Sequence, residues 1–323
     1  MTPIYFCTLF DCNYLLKGLV MLRSLAAHCP DSYTFVLCMD DETHRLLGLL
    51  RLERVELIRL RDVEDESVLE AKRQRSRVEY CWTLTPVLPH FVLRVRPDIQ
   101  EITYLDADLM FFSSLEPIFH EVGSASIAVV EHRYVPRLAY LEVQGRFNVQ
   151  WVMFRRDAEG LACLERWRSQ CIEWCFASIE PDRMGDQKYL DEWPERYGSL
   201  HIINHVGAGV APWNFPRYRI VATSTGPTVN EEPLIFYHFH QLHMLKGGRF
   251  DRLSAGYRLD GEAPEPIYKP YECALLDAHK DVRRIDPGFT AGLHPWLPVM
   301  IRRCVQNVLP LKLKSALRRY FRP

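Results

Sequence analysis

An α/β fold built on an open, doubly wound sheet is what this sequence predicts, and three observations carry the prediction. β-rich runs alternate with helical periods over the first 130 residues, the pattern of parallel strands joined by crossover helices. The units repeat at strand-helix length. An apolar run over 102–105 then leads directly into Asp106-Ala107-Asp108, placing two carboxylates at the kind of strand end where open α/β sheets bind ligands.

Taken in order, residues 4–10 form the first strand. Leu16, Leu19, Val20, Arg23, Ala26 and Ala27 recur at helical spacing, and Leu22 and Leu25 widen the apolar face, so 14–28 reads as an amphipathic helix with Pro30 just beyond it. Residues 34–39 (TFVLCM) are a second strand, 42–52 a helix and 55–59 a third strand. The charge-dense segment 62–77, DVEDE followed by KRQRSR, reads either as a solvated helix or as a mobile loop over a site. Pro86 and Pro89 predict a helix start or a kink there. After a strand over 127–130, residues 131–146 show no clean period and read as a loop. The aromatic and β-branched run 147–154 (FNVQWVMF) is strand. Leu161, Leu164, Trp167, Cys171, Trp174 and Cys175 mark a long helix with one apolar stripe. Short strands follow at 200–204 and 234–238. Beyond Gly248 the prolines 264, 266, 270 and 287 predict loop, and the end is basic and apolar. The expected organisation is a catalytic domain over 1–250, a loop-rich extension packed on it over 251–300, and an amphipathic tail over 301–323.

Composition narrows the function classes. The chain has 323 residues, 48% hydrophobic and 25% charged, which is globular and excludes disorder or a low-complexity fibre. Lys and Arg number 40 against 41 Asp and Glu, so no overall field recruits nucleic acid by counterion release. No apolar run approaches the ~18 residues of a membrane span. The N-terminus, MTPIYFCTLFDCNY, lacks the basic region and cleavage site of a signal peptide, and the expected location is the cytoplasm. Ten scattered cysteines without a C-x-x-C pair read as reduced core thiols.

Asp106 and Asp108, two residues apart in a turn, can hold one divalent cation and leave positions for diphosphate oxygens; the bland alternative is a turn with capping acids. A second cluster, Tyr237-His238-Phe239-His240-Gln241-Leu242-His243, closes another apolar strand. His238 and His240 share a face if the strand continues, and an imidazole beside two carboxylates suits Mn²⁺; either histidine can equally be a hydrogen-bonded core or surface residue.

The runs CTLFDCNY (7–14), YLDADLMFF (104–112), RFNVQWVMF (146–154), MGDQKYL (184–190) and YHFHQL (237–242), in this order, resemble glycosyltransferase family 8 and related bacterial enzymes over roughly 4–246. The resemblance implies a GT-A type nucleotide-diphospho-sugar transferase fold, with a Rossmann-like, mostly parallel sheet flanked by helices. It implies that Thr8, Asp11, Asn13 and Tyr14 hold the donor nucleotide, with Arg77, Asp106 and Lys246 as further donor contacts. A carboxylate can accept a uracil N–H and a tyrosine face can stack on the ring, whereas Asp11 can also simply cap the next helix. It implies Mn²⁺ or Mg²⁺ on Asp106, Asp108 and His238. It places Asn148, Asp186 and Gln187 at the transferred sugar as catalytic and orienting groups, although Asp186 can also cap a helix. Arg75, Trp213 and Asn214 are further candidates for phosphate or sugar contacts. Two departures stand out: Gln150 replaces the glycine of the F-N-x-G strand, and Gln241 replaces that of H-x-x-G-x-x-K, whose lysine comes late as Lys246.

The implied activity is transfer of a hexose-type sugar from a nucleotide diphosphate sugar, UDP-sugar first, to a hydroxyl of a cell-envelope glycan or glycolipid, with retention of configuration. The tail 301–323 is expected to touch anionic membrane at its cytoplasmic face, or else to dock on the catalytic domain. Two other classes compete. One is a haloacid-dehalogenase-like phosphatase, in which the D-x-D normally follows the first strand; the other is a non-catalytic nucleotide-sugar-binding protein.

Overall fold

A computed structural model describes residues 3–252, 257 and 263–295. The chain starts with the predicted crossover units: β1 (Ile4–Phe10), α1 (Leu15–His28), β2 (Ser32–Cys38), α2 (Asp41–Leu50) and β3 (Val55–Arg59), with the three strands parallel. Asp40 starts α2 by accepting the Thr43 N–H at 2.7 Å.

The charged stretch resolves as helix: α3 (Leu60–Val63) and α4 (Glu66–Gln74), the latter capped by Asp65. The long α5 (Arg77–Val95) opens with a Ser76/Glu79 capping box and runs through Pro86 and Pro89 instead of starting at them. Each proline costs about 3 kcal/mol in lost hydrogen bonding and steric conflict. Burial of Tyr80, Leu84, Val87, Leu88, Val92 and Leu93 against the sheet outweighs that cost, at about 1.5–3 kcal/mol per large apolar side chain.

Next come β4 (Glu101–Leu105), β5 (Leu109–Phe111), α6 (Glu116–Val122), β6 (Ile127–Glu131), β7 (Phe147–Arg155), α7 (Ala158–Glu173), α8 (Trp193–Arg196) and β8 (Leu200–Ile202). The predicted loop before β7 contains a 3-10 helix, Pro136–Gln144. The main sheet has seven strands in the order β3-β2-β1-β4-β7-β6-β8, and its pairs are parallel except at β7, which is antiparallel to both neighbours. Each sheet face carries its own core. Phe6, Val36 and Leu105 pack with α1 on one side, while Cys7, Leu37 and Tyr104 pack with α5 and α7 on the other. Cys7, Cys29, Cys38, Cys163, Cys171 and Cys175 are free and buried, packing as small hydrophobes.

The remaining strands are short: β9 (Ile220–Thr223), β10 (Gly226–Val229), β11 (Glu232–Pro233), β12 (Phe236–His238), β13 (His243–Leu245), β14 (Arg249–Asp251) and β15 (Leu293–His294). The loop expected over 251–300 is a correction: α9 (Glu265–Ile285) fills much of it and packs on α1 and α2. Tyr268, Tyr271, Leu275, Ala278 and Val282 form a buried stripe at three- and four-residue steps. Pro264 precedes the helix and Pro266 falls in its first turn, where no N–H is needed, while Pro270 lies inside it and its cost is outweighed by burial of this stripe. The tail 301–323, with its expected membrane contact, lies outside the described residues. Among the described residues no helix is long and apolar enough to cross a membrane.

Candidate active site

The acidic pair occupies the turn between β4 and β5. β5 pairs antiparallel with β12, and the register sets Leu109 opposite His238, bringing the imidazole alongside Asp108. The turn is held on both sides: the Asp106 N–H donates to the Gln150 carbonyl at 3.2 Å, and the Phe239 N–H donates to the Asp108 carbonyl at 2.9 Å. His238 Nε2 lies 2.9 Å from Asp108 Oδ1 and 3.8 Å from Asp106 Oδ2. Asp108 and His238 are buried, whereas Asp106 is partly open. One ligand atom from each of the three residues falls within 4.8 Å of the others, a geometry that can hold a metal ion. Burial pushes the Asp106 carboxyl up to about 6, and the neighbouring Asp108 charge adds to this against the pull of His238. Burial also opposes ionisation of Asp108, but His238 and Lys17 together hold it well below the usual carboxylate range. The two carboxylates raise His238 in turn, against its own burial.

His240 is not part of this cluster. β12 ends at His238, so the two-residue alternation stops before it reaches His240, whose Nε2 lies 3.1 Å from Gln241 Nε2. Gln241 has φ 60°, the left-handed conformation that suits the glycine it replaces.

At the end of β1 the Asp11 carboxylate accepts the backbone N–H groups of Asn13 at 2.9 Å and Tyr14 at 3.1 Å, so it does cap the turn into α1. It also pairs with Arg77, which in turn lies 3.5 Å from Asp40. Tyr14 is 44% exposed. Thr8 is fully buried, with its hydroxyl lacking a partner among the described residues. Lys246 is exposed, and its N–H donates to the His294 carbonyl at 2.9 Å. Two residues earlier, Gly292 packs against the Asn13 carbonyl. The ammonium that reaches the acidic pair is instead that of Lys17 on α1, 3.5 Å from Asp108 Oδ2 and 4.5 Å from the centre of the Tyr14 ring.

On the far side of the cluster, Asn148 and Gln187 are tied into a chain through a residue the sequence reading passes over. His132 Nδ1 lies 3.2 Å from the Arg146 carbonyl and its Nε2 lies 2.9 Å from Asn148 Nδ2. The imidazole is therefore neutral, protonated on Nδ1, with burial holding its pKa down to about 3. Tyr134 stacks on the ring at 4.6 Å and Trp213 meets it edge-on at 5.1 Å. Asn148 donates onward to Gln187 Oε1 at 3.4 Å, and Gln187 Nε2 donates to the Gln144 carbonyl at 3.1 Å. Asp186 is only 3% exposed and does not cap a helix; its Oδ2 has no hydrogen-bond partner among the described residues. Burial pushes its carboxyl up to about 7.

Three weaker candidates serve the fold. Arg75 donates to the carbonyls of Ile172 and Glu173 at the end of α7, where orphan acceptors need donors. Asn214 is fully buried, accepting the Ala211 N–H and donating to the carbonyls of His132 and Gly209. Trp213 is a buried wall behind His132 and His238.

No family model matches the chain. The uncharacterized protein YfnD of Bacillus subtilis (strain 168) is 33% identical over 299 residues, spanning 91% of this chain and 96% of YfnD. The chain belongs to the YfnD family. The uncharacterized protein YfnF of the same organism is 30% identical over 298 residues, with 90% and 97% covered. Among solved structures, the galactosyltransferase LgtC in complex with donor and acceptor sugar analogs aligns at a TM-score of 0.51 and 16% identity, over 85% of this chain and 96% of LgtC. The glycosyltransferase GlyE of Streptococcus pneumoniae TIGR4 aligns at 0.52 and 13%, over 88% and 63%. This YfnD-family chain therefore has the GT-A fold expected from its sequence, the fold of these glycosyltransferases.

Within that fold the YfnD-family site joins an acidic pair, one imidazole and one ammonium. A signal for Lys17 exists in the sequence: it is a lone cation in the otherwise apolar run LLKGLV at the start of α1. His132 has no such signal, because its role depends on Asn148 from the neighbouring strand.

Proposed function

We propose that this protein is a metal-dependent glycosyltransferase that transfers a hexose-type sugar from a UDP-sugar to a hydroxyl of a cell-envelope glycan or glycolipid, with retention. The observation that carries the reading is the convergence of Asp106, Asp108 and His238 at the end of β4 in a GT-A fold. Two carboxylates and an imidazole suit Mn²⁺ better than Mg²⁺, which prefers all-oxygen ligands and is the alternative. A divalent ion held there supplies positive charge against the departing nucleoside diphosphate.

The chain's own residues divide the remaining work. Tyr14, partly exposed at the start of α1, offers its ring to the base, and Asp11 and Asn13 shape the loop beside it. Arg77, exposed and paired with Asp11 beside Tyr14, is able to meet a phosphate. Asn148 and Gln187 hold each other in fixed orientation toward the sugar, so little reorganisation is needed at the reacting carbon. Asp186 brings a free, buried carboxyl oxygen to the same side. LgtC, solved with donor and acceptor sugar analogs, has the kinds of partner this reading assigns. The basic, apolar segment 301–323 supports peripheral contact with anionic membrane from the cytoplasmic side.

The test is thermal-shift and hydrolysis screening of a nucleotide-sugar panel, with and without Mn²⁺, on the wild type and Asp108→Ala. Stabilisation by one nucleoside diphosphate family that needs both metal and Asp108 is the expected result. Absence of metal-dependent nucleotide binding overturns the reading, and turnover of a generic aryl phosphate would point to phosphatase chemistry.

A further inference from the structure

We propose that Lys17 is a binding residue for the diphosphate of the donor, supplying the protein cation that the sequence pattern assigns to Lys246. This inference rests on the nucleotide-sugar reading above. Lys17 projects from α1 between two features of the site: its ammonium is 4.5 Å from the centre of the Tyr14 ring on one side and 3.5 Å from Asp108 Oδ2 on the other. A nucleoside diphosphate whose base lies on Tyr14 and whose phosphates reach the acidic pair has to run past this ammonium.

Two further observations favour a ligand over a purely structural role. His238 takes Asp108 Oδ1 at 2.9 Å, so Lys17 meets only the other oxygen, and at 3.5 Å it meets it loosely. The Lys17 side chain is only 13% exposed, and an ammonium has three donors, of which Asp108 engages one at the long limit of a hydrogen bond. Enclosing a cation with so little compensation is costly unless an anion completes its surroundings. A diphosphate is such an anion. Lys246, by contrast, is exposed, just beyond β13, with its N–H donated to the His294 carbonyl.

The experiment is calorimetric titration of wild type, Lys17→Met and Lys17→Arg with three probes: Mn²⁺ alone, uridine, and UDP in the presence of Mn²⁺. Methionine keeps the length and apolar stem of the side chain, and a thermal midpoint for each variant establishes that it is folded. Removing a charge-assisted contact to phosphate is expected to weaken UDP binding in Lys17→Met by about tenfold or more, with Lys17→Arg intermediate. Uridine binding is expected to stay unchanged, and Mn²⁺ alone to bind as tightly as in the wild type or tighter, because the ammonium no longer competes for Asp108. If wild type and a folded Lys17→Met bind UDP equally, or if Lys17→Met loses Mn²⁺ or uridine binding to the same extent as UDP, the inference falls while the transferase reading stands. If the wild type binds no nucleoside diphosphate with any divalent ion, both fall together.

Discussion

Replacing Asp186 by asparagine tests whether this site stores the strain expected of a functional group. The carboxyl is buried with one oxygen unpartnered, and burial raises its pKa from 3.8 to about 7. At about 1.36 kcal/mol per pH unit, that difference corresponds to about 4 kcal/mol of stability withheld from the folded state once the group ionises. The sign follows from proton linkage. A raised folded-state pKa means that the folded chain holds more protons than the unfolded chain between pH 3.8 and about 7, so stability is full below 3.8 and declines as pH rises through about 7. Asparagine has nearly the same shape and never ionises. Asp186→Asn is therefore expected to match the wild type near pH 4 and to exceed it by about 4 kcal/mol at pH 8, while sugar transfer falls sharply. Thermal and urea midpoints of both proteins across pH 4–8 measure this, and the difference between them cancels every other titrating group. A stability difference that does not change with pH, or a variant weaker than wild type at pH 8, refutes the argument.

Metal binding should weaken as pH falls through about 6, because protons on Asp106, raised to about 6, and on His238 compete with the ion; titration of Mn²⁺ at pH 5 and 7.5 measures the loss. His132→Phe keeps an aromatic ring against Tyr134 and Trp213 but removes the closer of the two acceptors of the Asn148 amide, leaving only Gln187 Oε1 at 3.4 Å, at a cost of about 1 kcal/mol. Turnover should drop with UDP affinity unchanged, and equal loss of both would contradict the positioning role. Gly292→Ala should weaken uridine binding: at φ 72° the added Cβ is strained and meets the Asn13 carbonyl, so the loop beside Tyr14 must shift. Calorimetry with uridine alone reads that effect apart from the metal.

Much of this architecture is legible locally. The alternation of β1, α1, β2, α2 and β3 follows from short continuous apolar runs, which read as buried strands, between segments with a 3.6-residue period, both of which a short window reveals. The acidic pair is legible for the same reason, since both carboxylates lie in one turn at the end of one strand. Prolines marked no element boundary where tertiary burial prevailed. α5 runs through Pro86 and Pro89, and α9 forms where loop was expected, because each buries an apolar stripe against the rest of the molecule.

By itself, the sequence determined the element periods, the strand end that carries Asp106 and Asp108, and the motif order that implies a GT-A fold. Only the tertiary structure decided which side chains meet there. The pairing of β5 with β12 selects His238 and leaves His240 aside. The packing of α1 carries Lys17 to Asp108 across 91 residues of chain, and the neighbouring ends of β6 and β7 set His132 against Asn148. The physical reason is range: periodicity and turn chemistry act within a few residues, whereas sheet register and helix packing set the distances between side chains from remote segments.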